Sequence, residues 1–316
     1  MNKRINQELR EHLDQFPGFD DYMNEAYLPA IRANSAERKE PYTDPAVSIT
    51  DETITGPDGD ALKWKIYRPK DSDETLPVLL WMHGGGFILG AYDESDGLCS
   101  DIVKTAGCVV VSVDYRLAPE HPYPAALEDC YAALTWIADH HEAMNIDRDR
   151  IGVAGVSAGG GLTAALALLA RDRQYPSICF QMPLYPMIDD RNDTPSAHEI
   201  TEGMVWNHKT NAFGWRMYLG ALHDTDDVPA YAAPARAADY SGLPYTYTCI
   251  GQLDPFRSET LTYVTKLAEA GVDVEFHLYP GAYHGFEQVA PEAALSKRAR
   301  EEYIQAVKQA FERTET

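Results

Sequence analysis

Cysteine is scarce in this chain: five residues among 316, none of them part of a Cys-x-x-Cys pair. Cys99, Cys108, Cys130, Cys179 and Cys249 are odd in number and widely spaced, which argues against a disulfide framework and against a cysteine-built zinc site. Cys108, Cys179 and Cys249 sit in apolar runs, where a buried, inert thiol is expected. Positive charge is also short. There are 27 Lys and Arg against 49 Asp and Glu, a net charge of −22. A surface of that sign repels nucleic acid and anionic membranes unless a basic cluster intervenes, and the sequence offers none. No apolar stretch approaches the roughly 20 residues that span a bilayer. The first ten residues are polar and charged, without the apolar centre of a signal peptide. Internal repeats and low-complexity tracts are missing too. These absences predict a cytoplasmic protein that binds no nucleic acid and inserts into no membrane.

What is present is an ordinary globular composition, 45% hydrophobic and 24% charged, in a chain long enough for one sizeable domain with an appendage. From about residue 62 onward, short β-rich runs alternate with longer helical patterns. The strand candidates are residues 62–69, 77–84, 108–116, 150–157, 177–185, 245–252 and 274–280; the helical ones are 125–141, 160–171, 258–270 and 292–312. Several strand candidates are nearly all apolar, as strands covered on both faces must be. The alternation predicts an α/β fold, a mostly parallel sheet with helices on both faces. Two stretches break the rhythm: residues 1–48, with no strand signal, and residues 188–236, an aromatic-rich interruption carrying Met204, Trp206, Phe213, Trp215 and Met217. They predict a two-part helical cap, over core segments 49–187 and 237–316. Ligands in open sheets bind beyond the carboxyl ends of the strands, where such a cap would close a pocket. Phe16, Phe19, Met204, Trp206, Phe213 and Trp215 are the candidate lining residues.

The chemistry centres on Gly155-Val156-Ser157-Ala158-Gly159, which follows an apolar run and leads at once into a helical stretch. This is G-x-S-x-G at a strand–turn–helix junction, the context of a nucleophile elbow. The turn is too sharp to admit side chains two residues to either side of the serine, hence Gly155 and Gly159. The helix behind it offers unpaired N–H groups to a developing oxyanion. Residues 159–164 also fit a dinucleotide fingerprint, but the next strand candidate ends without the acidic residue that would hold a ribose, so that reading fails. Upstream, His83-Gly84-Gly85-Gly86 directly follows a strand candidate. Glycines there let backbone N–H groups approach a substrate oxygen with no Cβ in the way.

A nucleophilic serine needs a base and an orienting acid, which in this architecture follow it in the order acid, then histidine. His277 falls inside a strand candidate, whereas His284 lies past its end between glycines, in GAYHGFE. Asp254 stands just past the strand candidate 245–252; Glu259 is the weaker candidate because the following helix carries it away. The predicted triad is therefore Ser157, His284 and Asp254. Such a triad works by acyl transfer and calls for no metal or organic cofactor.

HGGG (83–86), DYRLAPEHPYPAALED (114–129), GVSAG (155–159), MPLYP (182–186), DPF (254–256) and HGF (284–286), in this order, resemble the bacterial hormone-sensitive-lipase-like esterases of the α/β-hydrolase fold. Many relatives have Asp where this chain has Val156, and an acidic residue in place of Ser258. The resemblance implies a carboxylesterase acting on small esters of short- to medium-chain acids. It implies an oxyanion hole built from the N–H groups of Gly85, Gly86 and Ala158, a structural His83, and a homodimer paired through edge strands. Two other readings are an amidase or peptidase of the same fold, and a non-catalytic small-molecule-binding protein on the same scaffold. The intact triad residues speak against the second.

Overall fold

The computed structural model describes residues 2–13, 23–36, 41–201 and 204–313. Its centre is an eight-stranded sheet, with β1 at Val47–Thr55, β2 at Ala61–Pro69, β3 at Leu76–Met82, β4 at Val109–Val113, β5 at Ile146–Val156, β6 at Phe180–Leu184, β7 at Tyr245–Leu253 and β8 at Val274–Tyr283. The strands lie in the order β1-β2-β4-β3-β5-β6-β7-β8. Both pairings of β2 are antiparallel, and every pairing from β4 to β8 is parallel. The mostly parallel sheet is as expected. Every residue of β3, β4 and β6 is buried, so both faces of the sheet centre are covered. That is why these segments are mostly apolar, with Val, Leu and Met prominent.

Eleven helices are described: α1 at Gln7–Leu13, α2 at Leu28–Ala36, α3 at Asp96–Ala106, α4 at Ala125–Asp139, α5 at His141–Met144, α6 at Ala158–Arg173, α7 at Pro195–Glu199, α8 at His208–Leu219, α9 at Arg257–Glu269, α10 at Phe286–Val289 and α11 at Ala294–Arg313. Helix α3 packs against α11, and α4 against α6. Among the described residues, no helix is long and apolar enough to cross a membrane. The expected division after residue 48 falls inside β1, whose register with β2 runs from Val47–Pro69 to Thr55–Ala61. Four of its central residues, Thr50–Ile54 apart from the last, are exposed or nearly so; an edge strand of this kind lacks the apolar run that betrays a central one. The second interruption holds α7 and α8. Helix α8 is started by Asn207, whose side chain accepts from the N–H groups of Lys209 and Thr210, with Thr210 bonding back to the Asn207 N–H. This reciprocal cap satisfies donors that a helix start otherwise leaves open.

Candidate active site

β5 ends at Val156 and α6 begins at Ala158, so Ser157 alone turns the chain, at φ 56° and ψ −116°. That left-handed conformation is costly for a residue with a side chain, and three backbone bonds hold it. The Ser157 N–H donates to the Leu184 carbonyl (2.9 Å), and the Ser157 carbonyl accepts from Gly161 (2.9 Å) and Met187 (3.0 Å). The flanking glycines are required by space. A Cβ on Gly155 would stand 2.5 Å from the Gly159 carbonyl oxygen, and one on Gly159 would stand 2.1 Å from that of Met82. Helix α6 can therefore pack directly on the strand it leaves.

Asp254 and His284 are the first residues beyond β7 and β8, and the last paired residues of those strands are Leu253 and Tyr283. The sheet itself thus sets carboxylate beside imidazole. His284 Nδ1 lies 2.7 Å from Asp254 Oδ2, and His284 Nε2 lies 2.9 Å from Ser157 Oγ. The other oxygen of Asp254 accepts the Phe256 N–H (2.8 Å). All three side chains are buried, at 0% exposure for Asp254, 5% for His284 and 7% for Ser157. Two rings stand edge-on to the imidazole, Phe256 at 5.0 Å and Tyr185 at 5.2 Å. His277 lies within β8 and meets Glu275 (3.0 Å). Glu259 is on α9, where its carboxylate accepts the N–H groups of Ile188 and Asp189; burial and the neighbouring Asp189 push its carboxyl well above the usual range.

The glycine loop leaves β3 at Met82. His83 is buried, stacks on Tyr115 at 4.1 Å, and offers its carbonyl to the Tyr115 hydroxyl (2.8 Å). The loop turns tightly, with Ile88 and Leu89 both donating to the Gly85 carbonyl. Gly86 has φ 61°, and a Cβ there would meet Trp206 at 2.4 Å. Arg32 of α2 ties the loop down, giving Nε to the Ile88 carbonyl (2.8 Å) and Nη2 to the Ala118 carbonyl (2.6 Å). The backbone N–H groups of Gly85, Gly86 and Ala158 donate to no described residue.

Ser157 and His284 line a cavity of about 900 Å³ that also touches Gly85, Leu89, Val205, Trp206 and Glu287. Both cap segments reach it, the first through His12 and Ile31 and the second through Val205 and Trp206. Of the expected lining residues, Trp206 is there. Met204, Phe213 and Trp215 share the buried core cluster with Trp206 but do not line the cavity, Trp215 lying beside Phe87 at 5.5 Å; Phe16 and Phe19 lie outside the described residues. Tyr185, within MPLYP, and Glu287, next to HGF, also line the cavity, and neither is among the site residues expected from the sequence. A second cavity, of about 290 Å³, lies between α9 and residues 189–195 and includes none of the three predicted catalytic residues. No group of three His, Cys, Asp or Glu among the described residues is placed to hold a metal ion.

The chain matches the family described as alpha/beta hydrolase fold over residues 79–288. It is similar to the esterase LipI of Mycobacterium tuberculosis, 39% identical over 261 residues, 82% of this chain and 81% of that protein. The carboxylesterase NlhH of the same organism is 35% identical over 270 residues, 84% of each. Among solved structures, a bacterial heroin esterase superimposes with a TM-score of 0.92 at 38% identity, covering 98% of both chains. The esterase LipW from Mycobacterium marinum gives 0.89 at 34% identity, covering 98% of this chain and 97% of that one.

Proposed function

The chain belongs to the hormone-sensitive-lipase-like family of alpha/beta hydrolases and is a carboxylic ester hydrolase, and from that premise we propose that it cleaves esters of short- to medium-chain acids with Ser157 as nucleophile, His284 as base and Asp254 as orienting acid. The observation that carries the proposal is the unbroken chain of contacts from Asp254 to His284 (2.7 Å) to Ser157 (2.9 Å) at the wall of the large cavity.

The reaction follows from which atoms are committed. Asp254 accepts at Nδ1, so the neutral ring carries its proton there and turns a lone pair on Nε2 toward Ser157 Oγ. As Oγ attacks the ester carbonyl, Nε2 takes its proton, and the buried carboxylate stabilises the imidazolium. The carbonyl oxygen becomes an oxyanion, received by the N–H groups of Gly85, Gly86 and Ala158. Donors already aimed in a water-poor site need no reorganisation as the charge appears. The imidazolium protonates the departing alkoxide. Water then attacks the acyl-enzyme, with His284 again as base.

Under this reading the two cap segments, 1–48 and 188–236, shape the substrate's room, with Trp206 against the oxyanion loop. Five free thiols fit a reducing cytoplasm, and β8, at the end of the strand order, is the edge through which two copies would pair. The test is initial rates on p-nitrophenyl acetate, butyrate, octanoate and palmitate for wild type and Ser157→Ala. Turnover that peaks at the shorter chains and disappears in the variant is expected. A variant that keeps the wild-type rate would remove Ser157 from the mechanism.

A further inference from the structure

Two hydrogen bonds fix where the His284 ring lies but leave it free to tilt about the line joining Asp254 to Ser157. The tilt is limited by what touches the ring's sides. One neighbour is Phe256, edge-on at 5.0 Å, whose backbone is held by Asp254. A second neighbour is Tyr185, standing edge-on at 5.2 Å and 83°.

Tyr185 is unusually constrained. It follows β6 at φ 34°, its N–H donates to the Cys249 carbonyl (2.8 Å), and its ring is buried. Its hydroxyl donates to Glu287 Oε1 and accepts from Gln288 Nε2 (2.9 Å). Both partners belong to α10, which begins two residues after His284 itself. The contacts close a ring: His284, then α10, then the Tyr185 hydroxyl, then the Tyr185 edge back on the imidazole. Glu287 is 3% exposed and its Oε2 accepts no hydrogen bond from the described residues. Burying a carboxyl so poorly partnered is costly. Burial accordingly raises its proton affinity above the usual carboxylate range, and a neutral acid needs fewer partners than a carboxylate.

We infer that Tyr185 and Glu287 are a positioning pair that holds the His284 ring in line with Ser157. The inference rests on the triad reading above. A misplacement of about an ångström at a reacting group can cost on the order of a hundredfold in rate, and loss of one edge support is a fraction of that.

The experiment compares Tyr185→Phe, Glu287→Leu, Glu287→Gln and the Tyr185→Phe/Glu287→Leu double variant of the full chain. Steady-state kinetics on p-nitrophenyl butyrate give kcat and KM separately, and inactivation by paraoxon reports the nucleophile–base pair without turnover. Tyr185→Phe and Glu287→Leu should each lower kcat roughly tenfold, with KM within about twofold and the paraoxon rate falling in parallel. The double variant should be no slower than the slower single one, because both remove the same link. Glu287→Gln, which mimics the neutral acid and still accepts from Tyr185, should recover most of kcat. An unchanged kcat in Tyr185→Phe, losses that multiply in the double variant, or an effect confined to KM would overturn the inference, the last by making Glu287 a substrate contact. If Glu287→Leu fails to fold, Tyr185→Phe, which differs by one oxygen, decides alone. A wild type inert to both ester and paraoxon would instead refute the triad, a distinct result.

Discussion

Replacing Asp254 by Asn tests the triad with the least disturbance of shape, and the structure says which way the new amide would face. Oδ1 of Asp254 accepts the Phe256 N–H at 2.8 Å, while Oδ2 lies 2.7 Å from His284 Nδ1. Turning the amide to put its NH2 against the Phe256 N–H would oppose two donors in a buried site, at a cost of about 1–3 kcal/mol. The Asn oxygen therefore stays with Phe256 and the NH2 points at Nδ1. There it donates, so the imidazole moves its proton to Nε2 and presents N–H to Ser157 Oγ. A ring in that tautomer cannot take the serine's proton. The loss expected in kcat is about 10³ to 10⁴, or roughly 4–5.5 kcal/mol of transition-state stabilisation, with an unaltered fold by circular dichroism. The assay is kcat on p-nitrophenyl butyrate at pH 7. An Asp254→Asn enzyme that keeps more than about a tenth of the wild-type kcat would refute the argument and turn attention to Glu259.

Gly86→Ala should lower kcat about a hundredfold, the scale of one oxyanion donor, since the Cβ meets Trp206 at 2.4 Å and φ is 61°. Adding Trp206→Ala should restore part of that loss, and no restoration would deny the clash. For Glu259, burial raises the folded-state value above its ordinary 4.5, so the native state holds the extra proton between the two and this group's contribution to stability falls as pH rises through that window. Glu259→Gln removes the effect, and its Tm relative to wild type should climb between pH 5 and pH 8; a constant difference would contradict the assignment. Burial pushes the Cys108 and Cys179 thiols up to about 12 and those of Cys99, Cys130 and Cys249 well above their ordinary value. At pH 8 the folded protein should react with Ellman's reagent far more slowly than the denatured one, which should titrate five thiols. Cys179, the half-buried one, should react first, as shown by loss of that phase in Cys179→Ala.

The parts legible in the sequence were those in which local pattern and global role coincide. Strands β3 and β4 and the second half of β5 announce themselves because a strand buried on both faces is mostly apolar; the first half of β5, Asp147-Arg148-Asp149-Arg150, carries no such run. Ser157, His83 and the glycines were legible because strained turns and close backbone approaches admit few residue types. Strand β1 was not, since its partner covers one edge while acidic and threonine side chains face water along Asp51-Glu52-Thr53. Helix α3 hid behind Asp96 and Ser100, polar residues that are buried here, Asp96 by pairing with Lys65 (3.2 Å) and the Tyr67 hydroxyl. The aromatic residues of the second interruption could not be sorted from sequence. Both Trp206 and Trp215 are buried in the core cluster, but Trp206 also lines the cavity against Gly86, whereas Trp215 packs beside Phe87. Cys179 was expected to be buried with Cys108 and Cys249, but it stands before β6 begins and is half-buried.

The ladder between β7 and β8 has one more consequence. Asp254 and His284 come directly after the last pair, Leu253–Tyr283, which follows a register shift beyond Gly251–Tyr279, so the contact between them is set by that last pair rather than by the length of the chain that joins the strands. The turn at Gly271, beyond the end of α9, could lengthen or be cut without moving either group, whereas one residue gained or lost between the Leu253–Tyr283 pair and either side chain would slide the carboxylate off the imidazole. New chain ends opened at Gly271, with the original termini joined by a flexible linker, would leave the acid–base contact where it is.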